Sequence, residues 1–185
     1  MPLALIKEDG TGKVDANSFA SAAEGDAYHD GHLYASAWTG ATTQNKEKAL
    51  VMATRLINAH FQFRGVKRRS AQSLQWPRRG CPDPDNDAGV LPGLLRVRGA
   101  VLEETKVPAL VVSATCELAR ELLKQDRTGD TGGEGLRALE INGSMRLDFD
   151  ADTRPAVIPT LVQTWLAKFG EPLTRGPGVA RLVRT

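Results

Sequence analysis

From Pro108 to Lys124 the apolar residues return at helical spacing: Val111, Ala114, Thr115, Leu118, Ala119 and Leu122 form one continuous stripe. Pro108 suits the first position of a helix, where its fixed φ is already helical and its missing N–H costs nothing. A helix with such a stripe cannot stand alone in water; other elements must cover it. Three further helices are written nearby. Ser21 and Glu24 match a capping box and open a short helix to about His29 or Gly31. Thr42 or Thr43 caps a longer one to about residue 61, with Leu50, Ala53, Leu56, Ile57 and Phe61 on one face and Gln44, Lys46, Glu47 and Lys48 early and polar. Pro155 opens the last, to Phe169, carrying Ile158, Leu161, Val162, Trp165, Leu166 and Phe169 on one stripe, with Gly170 and Pro172 as its stop.

One segment departs from helical period. Leu136 to Phe149 alternates around Asn142-Gly143, a pair suited to a two-residue hairpin turn because both positions take positive φ. That turn pairs Ile141 with Ser144 and Arg137 with Asp148, and places Leu136, Ala138, Met145, Leu147 and Phe149 on one face with Glu140 as a misfit. Such a face is too apolar for an isolated ribbon, so it packs on the helices or on a neighbouring subunit. Residues 62–100, with Trp76-Pro77-Arg78-Arg79-Gly80 and a Pro/Asp-rich turn from Cys81 to Gly89, read as irregular. Arg127 to Gly135 reads as a flexible linker. The expected fold is mainly α, a small bundle of about four helices with a β-hairpin and extended arms. Its parts are an N-terminal arm at 1–17, a helical domain at 18–170 with the hairpin at 136–149, and a C-terminal tail at 171–185.

Composition sets bounds on function. At 41% apolar residues the chain can build a core, but at 5% aromatics that core is aliphatic. A formal charge of +2 does not suit a protein that coats nucleic acid indiscriminately. Two cysteines, Cys81 and Cys116, form neither a disulfide framework nor a zinc set, and Cys116 lies in a helical apolar pattern. No run approaches a membrane span, and Met1 to Gly10 lacks the apolar stretch of a signal peptide.

Chemical motifs fail on inspection. Gly10-Thr11-Gly12-Lys13 resembles the end of a phosphate loop, but Val14 stands where the magnesium-binding hydroxyl belongs. Asp83 to Ala88 resembles the start of a calcium loop, but Ala88 replaces its glycine and Leu94 its bidentate glutamate. His29 and His32 have no accompanying ligand set, and His60 suits a helix C-terminus. With no nucleophile elbow and no dinucleotide fingerprint, the expectation is a non-enzyme without cofactor or metal.

The densest positive run is Arg64, Lys67, Arg68, Arg69, Arg78 and Arg79, interleaved with aromatics. It reads in two ways. Either it meets nucleic-acid phosphates, with Trp38, Phe63 and Trp76 as the main stacking candidates, or it pairs with Asp and Glu of the same or a neighbouring subunit. Balanced overall charge favours the second.

An ordered set of segments carries a resemblance: Glu8-Asp-Gly-Thr-Gly12, Asp15-Ala-Asn-Ser-Phe19, Asp26-Ala-Tyr-His29, Lys46-Glu-Lys-Ala-Leu50, Leu74-Gln-Trp-Pro-Arg78 and Val107-Pro-Ala109 with Ala114-Thr-Cys-Glu-Leu-Ala119. From about residue 8 to 124 the chain resembles small phage proteins labelled DnaT-like single-stranded DNA-binding. Those proteins are similar in turn to head–tail connector (adaptor) proteins of tailed bacteriophages. The connector resemblance implies a structural ring, usually dodecameric, in the neck of the virion, made in the host cytoplasm and touching no membrane. Its implied partners are copies of itself, the phage portal protein, a downstream neck or tail protein, and double-stranded DNA passing through the channel non-specifically. It implies that Val179, Arg181, Leu182, Val183 and Arg184 of the tail dock on the portal, and that the basic cluster faces the channel or a neighbouring subunit. The other label implies a single-stranded DNA-binding replication protein.

Overall fold

The computed structural model describes residues 3–85, 100–129, 138–141, 145–148 and 156–173. The fold is mainly α with small antiparallel β-ribbons. Helix α4 (Ala109–Lys124) is its axis, and α1 (Ala22–Asp30), α2 (Ser36–Thr39), α3 (Thr43–His60) and α5 (Thr160–Ala167) all pack on it. The stripe predicted for α4 is where the burial lies: Val111, Ala114, Cys116, Leu118 and Ala119 are fully buried. They meet Leu50, Ala53 and Ile57 of α3, and Val162 and Leu166 of α5, in one core. Burying aliphatic side chains of this size contributes about 1.5–3 kcal/mol each. No helix among the described residues is long and apolar enough to cross a membrane.

Local signals explain the helix ends. Ser21 and Glu24 form the reciprocal capping box at α1, and the Thr42 hydroxyl accepts from the Asn45 N–H at α3. Pro108 and Pro159 occupy the caps before α4 and α5. Helix α5 therefore begins later than Pro155, which lies outside the described residues. The one-turn α2 is too short to carry a period of its own, and it places Trp38 in the core.

Residues 3–20 lie along this core. Lys7 and Ser18 form a parallel bridge, Ile6 and Asn17 exchange hydrogen bonds, and the Phe19 N–H donates to the Thr54 hydroxyl at 3.2 Å. Ala16, Phe19 and Ala20 are core residues.

Three two-stranded ribbons complete the described structure: β1 (Phe61–Phe63) with β6 (Gly170–Pro172), β2 (Val66–Lys67) with β3 (Arg78–Arg79), and β4 (Ala138–Ile141) with β5 (Met145–Asp148). The β4–β5 hairpin is present, but its register corrects the expectation: Ile141 faces Met145, not Ser144, and Ala138 faces Asp148. Three residues therefore separate the strands. The register puts Leu139, Ile141, Met145 and Leu147 on one face and Ala138, Glu140, Arg146 and Asp148 on the other, so Glu140 is no misfit.

The α1–α4 contact buries a titratable group. His29 is 2% exposed, and its Nε2 lies 3.2 Å from the Cys116 carbonyl. A carbonyl only accepts, so Nε2 carries the hydrogen, and the buried Nδ1 has no hydrogen-bond partner. Burial holds the imidazole pKa below 6.5, with Arg120 and His32 adding to the effect and Glu117 opposing it. The unfolded chain thus takes up this proton before the folded one does. Its contribution to stability is complete above pH 6.5 and is lost as pH falls from there toward the folded-state pKa. Urea unfolding across that range is expected to show declining stability above the carboxylate region. His29→Gln, which keeps a donor for Cys116, is expected to flatten the decline; an unchanged slope would count against this assignment.

Candidate nucleic-acid interface

The basic cluster lies on residues 64–80, a loop between β1 and the Cys81 turn, and the chain fastens it at many points. Gly65, at φ +74°, brings the backbone so near Arg79 that a Cβ there would lie 2.5 Å from the Arg79 carbonyl. Gln72 is 3% exposed and ties the loop from within: its Nε2 donates to the Leu74 and Pro77 carbonyls, and its Oε1 accepts from the Arg69 N–H. Gln75 bridges to Asn58 and Phe61, and the Ser73 hydroxyl donates to the Ala16 carbonyl at 2.5 Å.

The six cations divide by role. Arg78 is 4% exposed and has no carboxylate partner among the described residues. Its guanidinium instead donates to the carbonyls of Arg64 (2.7 Å), Gly65 (2.6 Å) and Gln75 (3.1 Å), and burial pushes its pKa below the usual value. It is a structural bracket. Arg79 is exposed and paired with Glu104 at 2.8 Å. Arg68 is half-buried and donates to the Gly10 carbonyl at 2.6 Å. Arg64, Lys67 and Arg69 are exposed, and none has a carboxylate within ion-pair distance among the described residues. Arg64 reaches the Lys168 carbonyl and Lys67 the Gln72 carbonyl, both at 3.2 Å. Pairing with acids thus accounts for Arg79, and it leaves a row of free charge on a fixed loop.

The expected stacking aromatics are not available. Trp38 and Trp76 are fully buried and Phe63 nearly so. Trp76 meets Phe63 and Phe169 edge-on at 5.5 and 6.0 Å, in the core beneath the loop. Periodicity gave no warning, because charged sequence neighbours hid a side chain that the turn directs inward. The exposed aromatic that sequence reasoning missed is Tyr34, 72% exposed beside Leu33 at 85%.

The phosphate-loop look-alike is already filled. Glu8 is 1% exposed; its Oε1 accepts from the Gly10 and Gly12 N–H groups (2.9 and 2.8 Å) and its Oε2 from Lys13 (2.8 Å). The chain's own carboxylate sits where an anion would. Of the calcium-loop look-alike, Asp83 and Asp85 form a local turn, and residues from 86 to 99 lie outside those described. His29 and His32 engage Cys116 and Glu117, and no group among the described residues could hold a metal ion. A groove of about 770 Å³ runs between residues 7–9, α1 and the start of α4. Its rim charges are paired, Lys7 with Glu24 and Lys106 with Glu103, so it offers no anion site.

The model of one protein family, described as "Putative DnaT-like ssDNA binding protein", matches residues 3–185. No curated protein and no solved structure matches the chain. The family match overturns the connector expectation, and with it the ring under a portal, the portal and tail partners and the channel DNA. Physically, the N-terminal segment offered as a reaching arm is packed on its own core. The tail residues Val179, Arg181, Leu182, Val183 and Arg184 lie outside the described residues. A family model that spans residues 3–185 identifies the chain as a member of the DnaT-like ssDNA-binding protein family.

Proposed function

We propose that this protein binds single-stranded DNA, acting by binding rather than catalysis, and that Arg64, Lys67 and Arg69 meet the phosphates. The observation that carries this reading is a loop fastened on both sides that leaves three cations exposed and without acidic partners. Preorganised cations lose little side-chain freedom on binding beyond their own rotamers. Phosphate contacts position a strand without reading its sequence, so no strong sequence preference follows.

Fluorescence anisotropy with an oligothymidylate across a salt series tests the proposal. Each phosphate contact on a single strand contributes about 0.7 to the slope of log affinity against log salt. Three contacts give a slope near about −2. Changing Arg64, Lys67 and Arg69 together to alanine is expected to remove most of that slope while leaving the melting temperature unchanged, because all three are exposed. Absence of binding at low salt, or a slope indifferent to the triple change, would reject the assignment.

A further inference from the structure

Charge on the loop cannot by itself tell a single strand from a duplex, since both present phosphates. Preference for single strands needs a surface that an unpaired base can lie on, and exposed aromatic rings supply it. Among the described residues Phe19, Trp38, Phe61, Phe63, Trp76 and Phe169 are buried. Tyr28 and Trp165 are partly buried in the core cluster. Tyr34 is the exposed one, at 72%.

Its presentation is built. Tyr34 sits in the turn between α1 and α2. Its N–H donates to His32 Nδ1 at 3.0 Å, and its carbonyl accepts from Arg120 at 3.1 Å. Arg120 is 6% exposed and is held by Glu117 and, at 2.8 Å, by Glu121. The backbone under the ring is thus anchored to the side chains of α4, while Leu33 beside it stands 85% exposed. Keeping two adjacent large apolar groups in water on a fixed turn is unfavourable unless something covers them. Two side chains fall far short of the roughly 800 Å² per partner that a stable protein interface needs. A flat ligand the size of one base fits them better, and a tyrosine ring loses little rotational freedom in meeting it.

We propose that Tyr34, supported by Leu33, is a base-stacking contact that gives this protein its preference for single strands. This rests on the single-stranded DNA reading above. It also implies an extended path. Arg120 anchors Tyr34 near the end of α4, whereas Arg79 of the basic loop pairs with Glu104 ahead of its start. At 1.5 Å per residue the 16-residue helix separates them by about 24 Å, so one strand touching both spans several nucleotides.

The test compares three probes of equal length, long enough to reach both ends: oligothymidylate, a duplex and an abasic oligomer. Tyr34→Ala is expected to weaken oligothymidylate binding about 5- to 100-fold. Duplex and abasic binding should stay as in the unaltered protein, and Tyr34→Phe should restore the loss. Equal binding of oligothymidylate by the unaltered protein and Tyr34→Ala overturns this inference alone. So does an equal loss on all three probes, which marks a structural or phosphate role. If the unaltered protein binds none of the probes, both this inference and the function it rests on fall.

Discussion

Changing Arg78 to alanine is expected to destabilise the protein by about 3 kcal/mol or more and to remove DNA binding with it. Hydrogen bonds from a charged donor contribute about 1.5–3 kcal/mol each, non-additively. Arg78 makes three to backbone carbonyls on both arms of the basic loop, at Arg64, Gly65 and Gln75. Alanine leaves those oxygens without their donor and opens space where the 4%-exposed side chain lay. Lysine does not rescue the site, because an ammonium has no planar fork to reach carbonyls in different directions. Arg69→Ala is the control: this exposed cation should cost affinity at unchanged stability. Denaturant midpoints and oligonucleotide affinity measured on both variants separate bracket from contact. Arg78→Ala that melts normally yet fails to bind would show that Arg78 meets DNA directly.

Arg78 also marks the limit of what the sequence discloses. The α4 stripe, the capping box at Ser21 and the Thr42 cap were legible because each depends on residues a few positions apart. The hairpin was legible as a hairpin, but not in register. Asn-Gly favours a two-residue turn, whereas the pairing of Ile141 with Met145 sorts apolar from charged residues completely. Face sorting was the stronger constraint, since a one-residue slip exchanges the faces of a strand. The basic cluster was visible as six charges of one kind. Its division into a buried bracket, an ion pair, a clasp on Gly10 and three free cations was not, because the deciding partners are backbone carbonyls and Glu104. Trp76 was misplaced for the same reason: its burial is set by Phe63 and Phe169, the latter more than 90 residues away. Tyr34 gave no periodic signal at all. Its exposure follows from a turn whose anchor, Arg120, lies on another helix. The resemblance covering residues 8 to 124 led to two families at once, and the family match over residues 3–185 decides for the DNA-binding one.

Glu8 provides the second large effect, and it reaches the basic loop indirectly. Glu8→Ala removes the acceptor for three backbone N–H groups, those of Gly10, Gly12 and Lys13. An orphaned buried donor costs about 1–3 kcal/mol, so a loss of about 3–5 kcal/mol is expected, less whatever water recovers. Glu8→Gln is the more telling variant, since it keeps shape and removes charge. A carboxamide has one accepting oxygen, so whichever way it turns, its NH₂ group confronts at least one of the three N–H donors. Glutamine should therefore recover only part of the stability. The turn that Glu8 folds also carries the Gly10 carbonyl, which holds Arg68, and the Lys13 carbonyl, which accepts from the Ser73 N–H at 3.1 Å. Loosening it frees the segment that presents Lys67 and Arg69, so affinity for oligothymidylate should fall in the order of stability: unaltered, Glu8→Gln, Glu8→Ala. Thermal melts and anisotropy on the three proteins check the order. If Glu8→Gln matches the unaltered protein in both, the three N–H groups do not depend on a carboxylate, and the Glu8 turn is not what supports the DNA-binding loop.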